Sequence, residues 1–188
     1  METRDIVYMA LFAAIMAALA VFPAITLPVV GVPITAQSLG AILAGGVLGA
    51  VRGGLSMVLF LLLVAIGLPL LPGGRGGFGV FLGPSGGFVM GWILAAFVVG
   101  FFVERFWHQL NYLNAFLASL IGSIIVLYAI GIPWSAMVAQ ISVWAAFVGS
   151  LPFIPGDIIK CLIGAAVIVI VKKSYPIIRP ATRAATET

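Results

Sequence analysis

The sequence predicts an all-α integral membrane protein with six transmembrane helices and structured outer loops. Of its 188 residues, 63% are hydrophobic and only 7% are charged. The mean hydropathy is +1.29, and the apolar residues gather into runs of bilayer length. Such a chain has too little polar surface to coat a soluble globule, whereas each bilayer span needs roughly 20 predominantly apolar residues. It reads as a single membrane domain over residues 1–188.

The first run, about residues 6–22, starts beside the acid Asp5 and shows no small-x-small cleavage signature, so it reads as a retained span and not a signal peptide. It carries Ala10, Ala14 and Ala18 at i, i+4 and i+8, flanked by Ala13 and Ala17. Small residues at this spacing admit a second helix at close range, either from within the molecule or from a partner. The second run, about 35–51, opens on Thr35 as the expected N-cap, with Gln37 just after it. Gln37 either satisfies backbone groups at the helix start or turns its amide toward an outer pocket. A third run, about 53–68, follows the minimal link Ala50-Val51-Arg52-Gly53, and runs over about 86–104 and 112–131 supply the fourth and fifth spans. Between those two, His108 falls with Glu104, Arg105 and Trp107 in a cluster typical of a membrane interface. Residues 134–150 are apolar but bounded by Pro133 and Pro152 and interrupted by Gln140, Ser142 and Ser150, so they are read as a partly embedded loop helix. The sixth span covers about 155–172.

Charge placement orients these spans. With both termini cytoplasmic, Arg4, Arg52, Arg105, Lys172, Lys173, Arg179 and Arg183 lie inside, Arg75 alone lies in an outer loop, and Lys160 lies within a span. A seventh span would carry the four C-terminal basic residues outside and destroy the asymmetry. Nine of the eleven prolines fall in or beside the outer connections, which are therefore long and restricted while the inner links are minimal. Structured loops on rigid spans are where binding sites are usually built, so the site is expected to open outward.

Against this background Gly156-Asp157-Ile158-Ile159-Lys160 stands out. Asp157 and Lys160 share a helix face at i and i+3, and an ionised residue in a span costs about 2.5–3.5 kcal/mol on insertion scales. That cost makes a ligand or ion site the default explanation. The loop Pro72-Gly73-Gly74-Arg75-Gly76-Gly77-Phe78-Gly79 can bring bare backbone N–H groups to a ligand or can simply permit tight packing. Arg75 within it is either solvated or a guide for an anionic ligand.

Several function classes are excluded. The nine basic residues are scattered and form no track for a nucleic acid. There is no Gly-Lys-Ser/Thr of a nucleotide loop, no His or Cys set with metal-ligand spacing and no G-x-S-x-G elbow. The single Cys161 reads as a packed thiol. Asp157 and Lys160 lack an accompanying nucleophile, which disfavours catalysis. No metal and no cofactor are expected.

Three stretches carry a family resemblance: Val32-Pro33-Ile34-Thr35-Ala36-Gln37-Ser38-Leu39, the glycine-rich GLPLLPGGRGGFGVFLGPSGGF from Gly67 to Phe88, and LPFIPGDIIK from Leu151 to Lys160. Together they resemble the BioY family, the substrate-binding S components of energy-coupling-factor (ECF) biotin transporters, over about residues 6–172. Ser85 and Phe88 depart from the family's more usual Thr and Tyr, and Phe88 removes a possible hydroxyl contact. The resemblance implies the six-helix S-component fold in a prokaryotic plasma membrane, with biotin captured from the extracytoplasmic side. It also implies assembly with a membrane T component and cytoplasmic ATPase subunits, with the face of Ala10, Ala14 and Ala18 docking the T component. The expected substrate-binding residues are Asp157, Lys160, Gln37, Gly74, Arg75 and Gly76.

Biotin suits Asp157 and Lys160 chemically. Its ureido ring offers two N–H donors and one carbonyl acceptor, its valerate is anionic, and the remainder is apolar, so Asp157 can accept the N–H groups while Lys160 donates to either the carbonyl or the carboxylate. Charge-assisted hydrogen bonds contribute about 1.5–3 kcal/mol each, whereas nanomolar capture needs about 12 kcal/mol. Apolar walls must supply much of the rest, with Phe78, Phe81, Trp92, Trp134 and Trp144 as candidates. Two other readings are carried beside this one: an S component for another small vitamin, and an intramembrane enzyme using Asp157 and Lys160 as acid and base.

Overall fold

The computed structural model describes residues 2–26 and 32–178. Arg179, Arg183, Pro28 and Pro180 lie outside the described residues. Helix α1 spans Thr3–Ala18 and tightens into a 3-10 turn at Leu19–Val21. Its start is closed by the Asp5 carboxylate, which accepts the Glu2 N–H at 3.1 Å and so satisfies one donor of the helix N-terminus. One face, with Met9, Phe12, Ala13 and Met16, is buried. A two-residue antiparallel pair, Ile25–Thr26 with Pro33–Ile34, then leads toward α2.

Helices α2 (Gln37–Leu48) and α3 (Ala50–Ala65) meet at a single residue, Gly49, whose φ of 90° only glycine adopts readily. The Glu104 carboxylate accepts the Ala50 N–H at 3.1 Å and places negative charge on the N-terminus of α3. Both helices pack on α5 (Gly86–Arg105), which is preceded by the short α4 (Gly79–Leu82) inside the glycine-rich loop. The short helix was not anticipated, because its four residues are too few to show periodicity.

From Tyr112 to Ala139 the chain is one continuous rod: α6 (Tyr112–Leu120), a π-helical stretch (Ile121–Val126) and α7 (Leu127–Ala139). The break expected at Pro133 falls instead at Gln140, which adopts a left-handed conformation at φ 55°. Pro133 is tolerated because the turn beyond it is anchored. Trp134 Nε1 donates to the Gly83 carbonyl at 3.0 Å, and Ser135 Oγ donates to that of Pro84 at 2.6 Å. The expected loop helix of residues 134–150 is therefore divided, its first part ending α7 and only Val143–Ser150 forming α8. A 3-10 turn at Leu151–Phe153 joins α8 to α9 (Ile154–Ser174).

Among the described residues four rods are long and apolar enough to cross a membrane: Thr3–Val21, Gly86–Arg105, Tyr112–Ala139 and Val143–Ser174. Helices α2 and α3 are apolar but shorter. Both ends of the described chain meet at one pole, where Arg4 donates to the Tyr175 hydroxyl at 2.7 Å and Arg52 binds Asp5 at 2.9 Å. Lys172, in the last turn of α9, donates to the Leu110 carbonyl at 3.2 Å close to the same pole.

Candidate functional site

Asp157 lies in the first turn of α9, at the end of that helix remote from both termini. Its carboxylate is stabilised by the partial positive charge of the helix start. One turn on, Lys160 Nζ reaches Asp157 Oδ1 at 2.7 Å, as the i, i+3 spacing requires, and also donates to Ser38 Oγ on α2 at 2.8 Å. The Tyr128 hydroxyl on α7 donates to the second carboxylate oxygen, Oδ2, at 2.6 Å. Four side chains from three helices thus form one hydrogen-bonded chain, and Asp157 is only 6% exposed.

This hydrogen-bonded group floors a cavity of about 400 Å³, counting the part open to solvent. Phe88, Trp92, Leu127 and Phe153 form apolar walls, and Val32, Ile34 and Thr35 close the side nearest the strand pair. Phe88 meets the Tyr128 ring edge-on, with centroids 5.9 Å apart at 86°. The ring that departs from the family pattern is thus an apolar wall that packs the tyrosine.

The expected site residues separate in space. Asp157, Lys160 and, among the candidate walls, Trp92 line the cavity. Gln37 does not: it is fully buried, and its Nε2 donates to the carbonyls of Met16 and Leu70, each at 2.9 Å. It ties α2 to α1 and to the loop after α3, and its Oε1 has no hydrogen-bond partner among the described residues. Thr35 caps nothing, since the helix starts two residues later without a side-chain cap; it lines the cavity instead. Gly74, Arg75 and Gly76 lie in a tight reversal where Leu71 and Arg75 exchange backbone hydrogen bonds at 3.0 and 3.2 Å. Arg75 is exposed, with its Nε on the Pro72 carbonyl at 3.2 Å, and none of the three lines the cavity. Phe78, Phe81 and Trp134 border a separate apolar groove, and Trp144 borders another.

Ser38 and Tyr128 were missed by the sequence reading. The sequence did carry a faint signal for each: a hydroxyl beside Gln37 in a motif already singled out, and a tyrosine well inside the fifth apolar run, away from its interfacial start at Tyr112.

The sequence profile of the BioY family matches residues 1–177. The chain is 50% identical over 183 residues to the biotin transporter BioY of Rhizobium etli, covering 95% of this chain and 98% of that protein. It is 48% identical to the biotin transporter BioY of Rhodobacter capsulatus, covering 85% and 88%. With the probable biotin transporter BioY of Bacillus subtilis it shares 43% identity, covering 86% of each. Its fold is similar to a crystal structure of the S-component for biotin from an ECF-type ABC transporter, with a TM-score of 0.88 and 32% identity over 94% of this chain and 97% of that one.

Proposed function

This chain belongs to the BioY family, and from that premise we propose that it is the biotin-binding S component of an ECF-type vitamin uptake transporter. The observation that carries the reading is the buried Asp157–Lys160 pair at the floor of an aromatic-walled cavity. The chain is a transport subunit and not an enzyme.

Charge balance supports one orientation of the ligand. The cavity floor holds one acid and one base and is neutral overall. Bringing the anionic valerate onto it would bury an uncompensated charge, at a cost of several kcal/mol. The ureido ring brings no net charge. Of the three Lys160 donors two are engaged, by Asp157 and Ser38, and of about four acceptor positions on Asp157 two are engaged, by Lys160 and Tyr128. One donor and two acceptors remain, which match a urea carbonyl and its N–H groups. The bicyclic head therefore enters first, between Phe88, Trp92 and Phe153, and the valerate faces the mouth. Gln37 contributes by holding the loop at Leu70 in place.

In this reading the four long rods cross the cell membrane together with the shorter α2 and α3, both termini are cytoplasmic, and the cavity faces the extracytoplasmic side. Arg4, Arg52, Arg105, Lys172 and Lys173 then lie at the inner face. ATP hydrolysis falls to partner subunits, with a T component docking on α1. Ala10, Ala14 and Ala18 are all exposed on that helix, and their flat surface supports close approach of a partner helix. Ala14→Leu is expected to leave biotin binding unchanged and to reduce co-purification with the T component severalfold. Undiminished co-purification would reduce that face to a lipid contact.

Equilibrium binding of labelled biotin to the detergent-purified protein, with thiamine and riboflavin as competitors, tests the substrate. Saturable binding that neither competitor displaces is expected. Displacement by either would reassign the chain to another vitamin, and recovery of a chemically altered ligand would point to catalysis.

A further inference from the structure

We infer that Tyr128 is the positioning residue of the recognition pair, seated on Asp157 by a one-residue insertion in its own helix; the inference rests on the ligand reading given above.

From Ala118 onward the buried positions of the Tyr112–Ala139 rod run in adjacent pairs: Ala118 and Ser119, Gly122 and Ser123, Leu127 and Tyr128, Gly131 and Ile132, Ser135 and Ala136. Successive pairs are four residues apart, as one helical turn requires, except at the step from Gly122 and Ser123 to Leu127 and Tyr128, which is five. That step coincides with the π-helical stretch Ile121–Val126, whose wider turn accommodates an extra residue. An uninterrupted α-helix would present Val126 and Leu127 to the core and rotate Tyr128 away by about 100°.

The contacts across to α9 show what the insertion aligns. On the near side of the step, Ser123 Oγ lies 3.3 Å from Cys161 Sγ; on the far side, the Tyr128 hydroxyl reaches Asp157 Oδ2 at 2.6 Å. Five residues on one helix are thus matched to four on the other, which two regular α-helices cannot do along one line of contact. The aromatic ring is fixed independently by Phe88, packed edge-on against it. With Lys160 on Oδ1 and Tyr128 on Oδ2, the plane of the carboxylate is held from both sides. The two remaining acceptor positions are thereby aimed into the cavity before ligand arrives. Tyr128 acts through Asp157 and not by contact with biotin.

The test is a double-mutant cycle in the full chain, with biotin binding measured up to millimolar ligand and melting temperature recorded for each variant. Tyr128→Phe keeps the ring and its packing, so its melting temperature should fall by only a few degrees while biotin binds about tenfold more weakly. Asp157→Asn should bind more weakly still, and the double variant should match Asp157→Asn within about twofold, because the hydroxyl then has no carboxylate to hold. Losses that multiply in the double variant would make Tyr128 an independent ligand contact, and wild-type affinity in Tyr128→Phe would make it a wall; either overturns the assignment. Absence of biotin binding in the wild type, or undiminished binding in Asp157→Asn, would instead overturn the reading of the site.

Discussion

Replacing Lys160 with alanine is expected to abolish measurable biotin capture, with a loss of a hundredfold or more. Lys160 supplies the donor for the ureido carbonyl and holds the Asp157 carboxylate, so its removal costs a charge-assisted hydrogen bond of about 1.5–3 kcal/mol and loosens the acceptor beside it, together about two orders of magnitude in affinity. Asp157, at 6% exposure, keeps only the Tyr128 hydroxyl as a partner in that variant. Recognition thus loses the lysine donor and one of the two contacts that hold the aspartate acceptor in a single substitution. Asp157→Asn should lose less, since Lys160 retains Ser38 at 2.8 Å and a longer stem with which to reach water. The paired replacement Lys160→Met with Asp157→Leu separates stability from recognition. It removes both charges together and should melt no lower than wild type while binding no biotin. Biotin binding by the Lys160→Ala protein at wild-type affinity would remove the pair from the site.

Gly45→Val is expected to damage the scaffold severely. A Cβ at Gly45 on α2 would lie 2.9 Å from the Ala96 carbonyl carbon on α5 and closer still to its oxygen, and Gly53 on α3 leaves room for Gly45 from the other side, its own Cβ position being 2.6 Å from Gly45 Cα. These neighbours are backbone and cannot rotate aside, so the helices must separate. Overpacking of this kind costs about 1–3 kcal/mol, which for a chain of this size lowers the melting temperature by roughly 2–12 °C. Because α2 also carries Ser38, its displacement should weaken biotin binding in the fraction that remains folded. Gly79→Ala is the internal control, since nothing lies within 4 Å of its Cβ position and its melting should be unaffected. Wild-type melting in Gly45→Val would mean that α2 and α5 do not cross this closely.

The membrane class and most of the helical runs were legible in the sequence because both follow from local composition and length. So was the contact between Asp157 and Lys160, since an i, i+3 spacing on a helix brings side chains together wherever that helix is placed. The two readings offered for Gln37 illustrate the limit. Adjacent residues on a helix point about 100° apart. Rotation of α2 about its axis therefore decided that Gln37 is buried between Met16 and Leu70 while Ser38 meets Lys160. No local signal fixes that rotation; packing against α1 and α5 does. The break at Gln140 was hidden for a similar reason, because Pro133 disfavours a helix only until Trp134 and Ser135 are held by carbonyls some fifty residues away in sequence.

What the sequence determined by itself was therefore the bilayer as solvent, the apolar runs and one acid–base pair on a shared helix face, each a consequence of residue spacing. Only the tertiary structure decided that Ser38 and Tyr128 complete that pair and that Ala10, Ala14 and Ala18 face outward. The same holds for the glycine-rich loop, which folds on itself at Leu71 and Arg75. Those outcomes depend on how whole helices rotate and cross, which is set by close packing between segments far apart in the chain and not by any stretch of it alone.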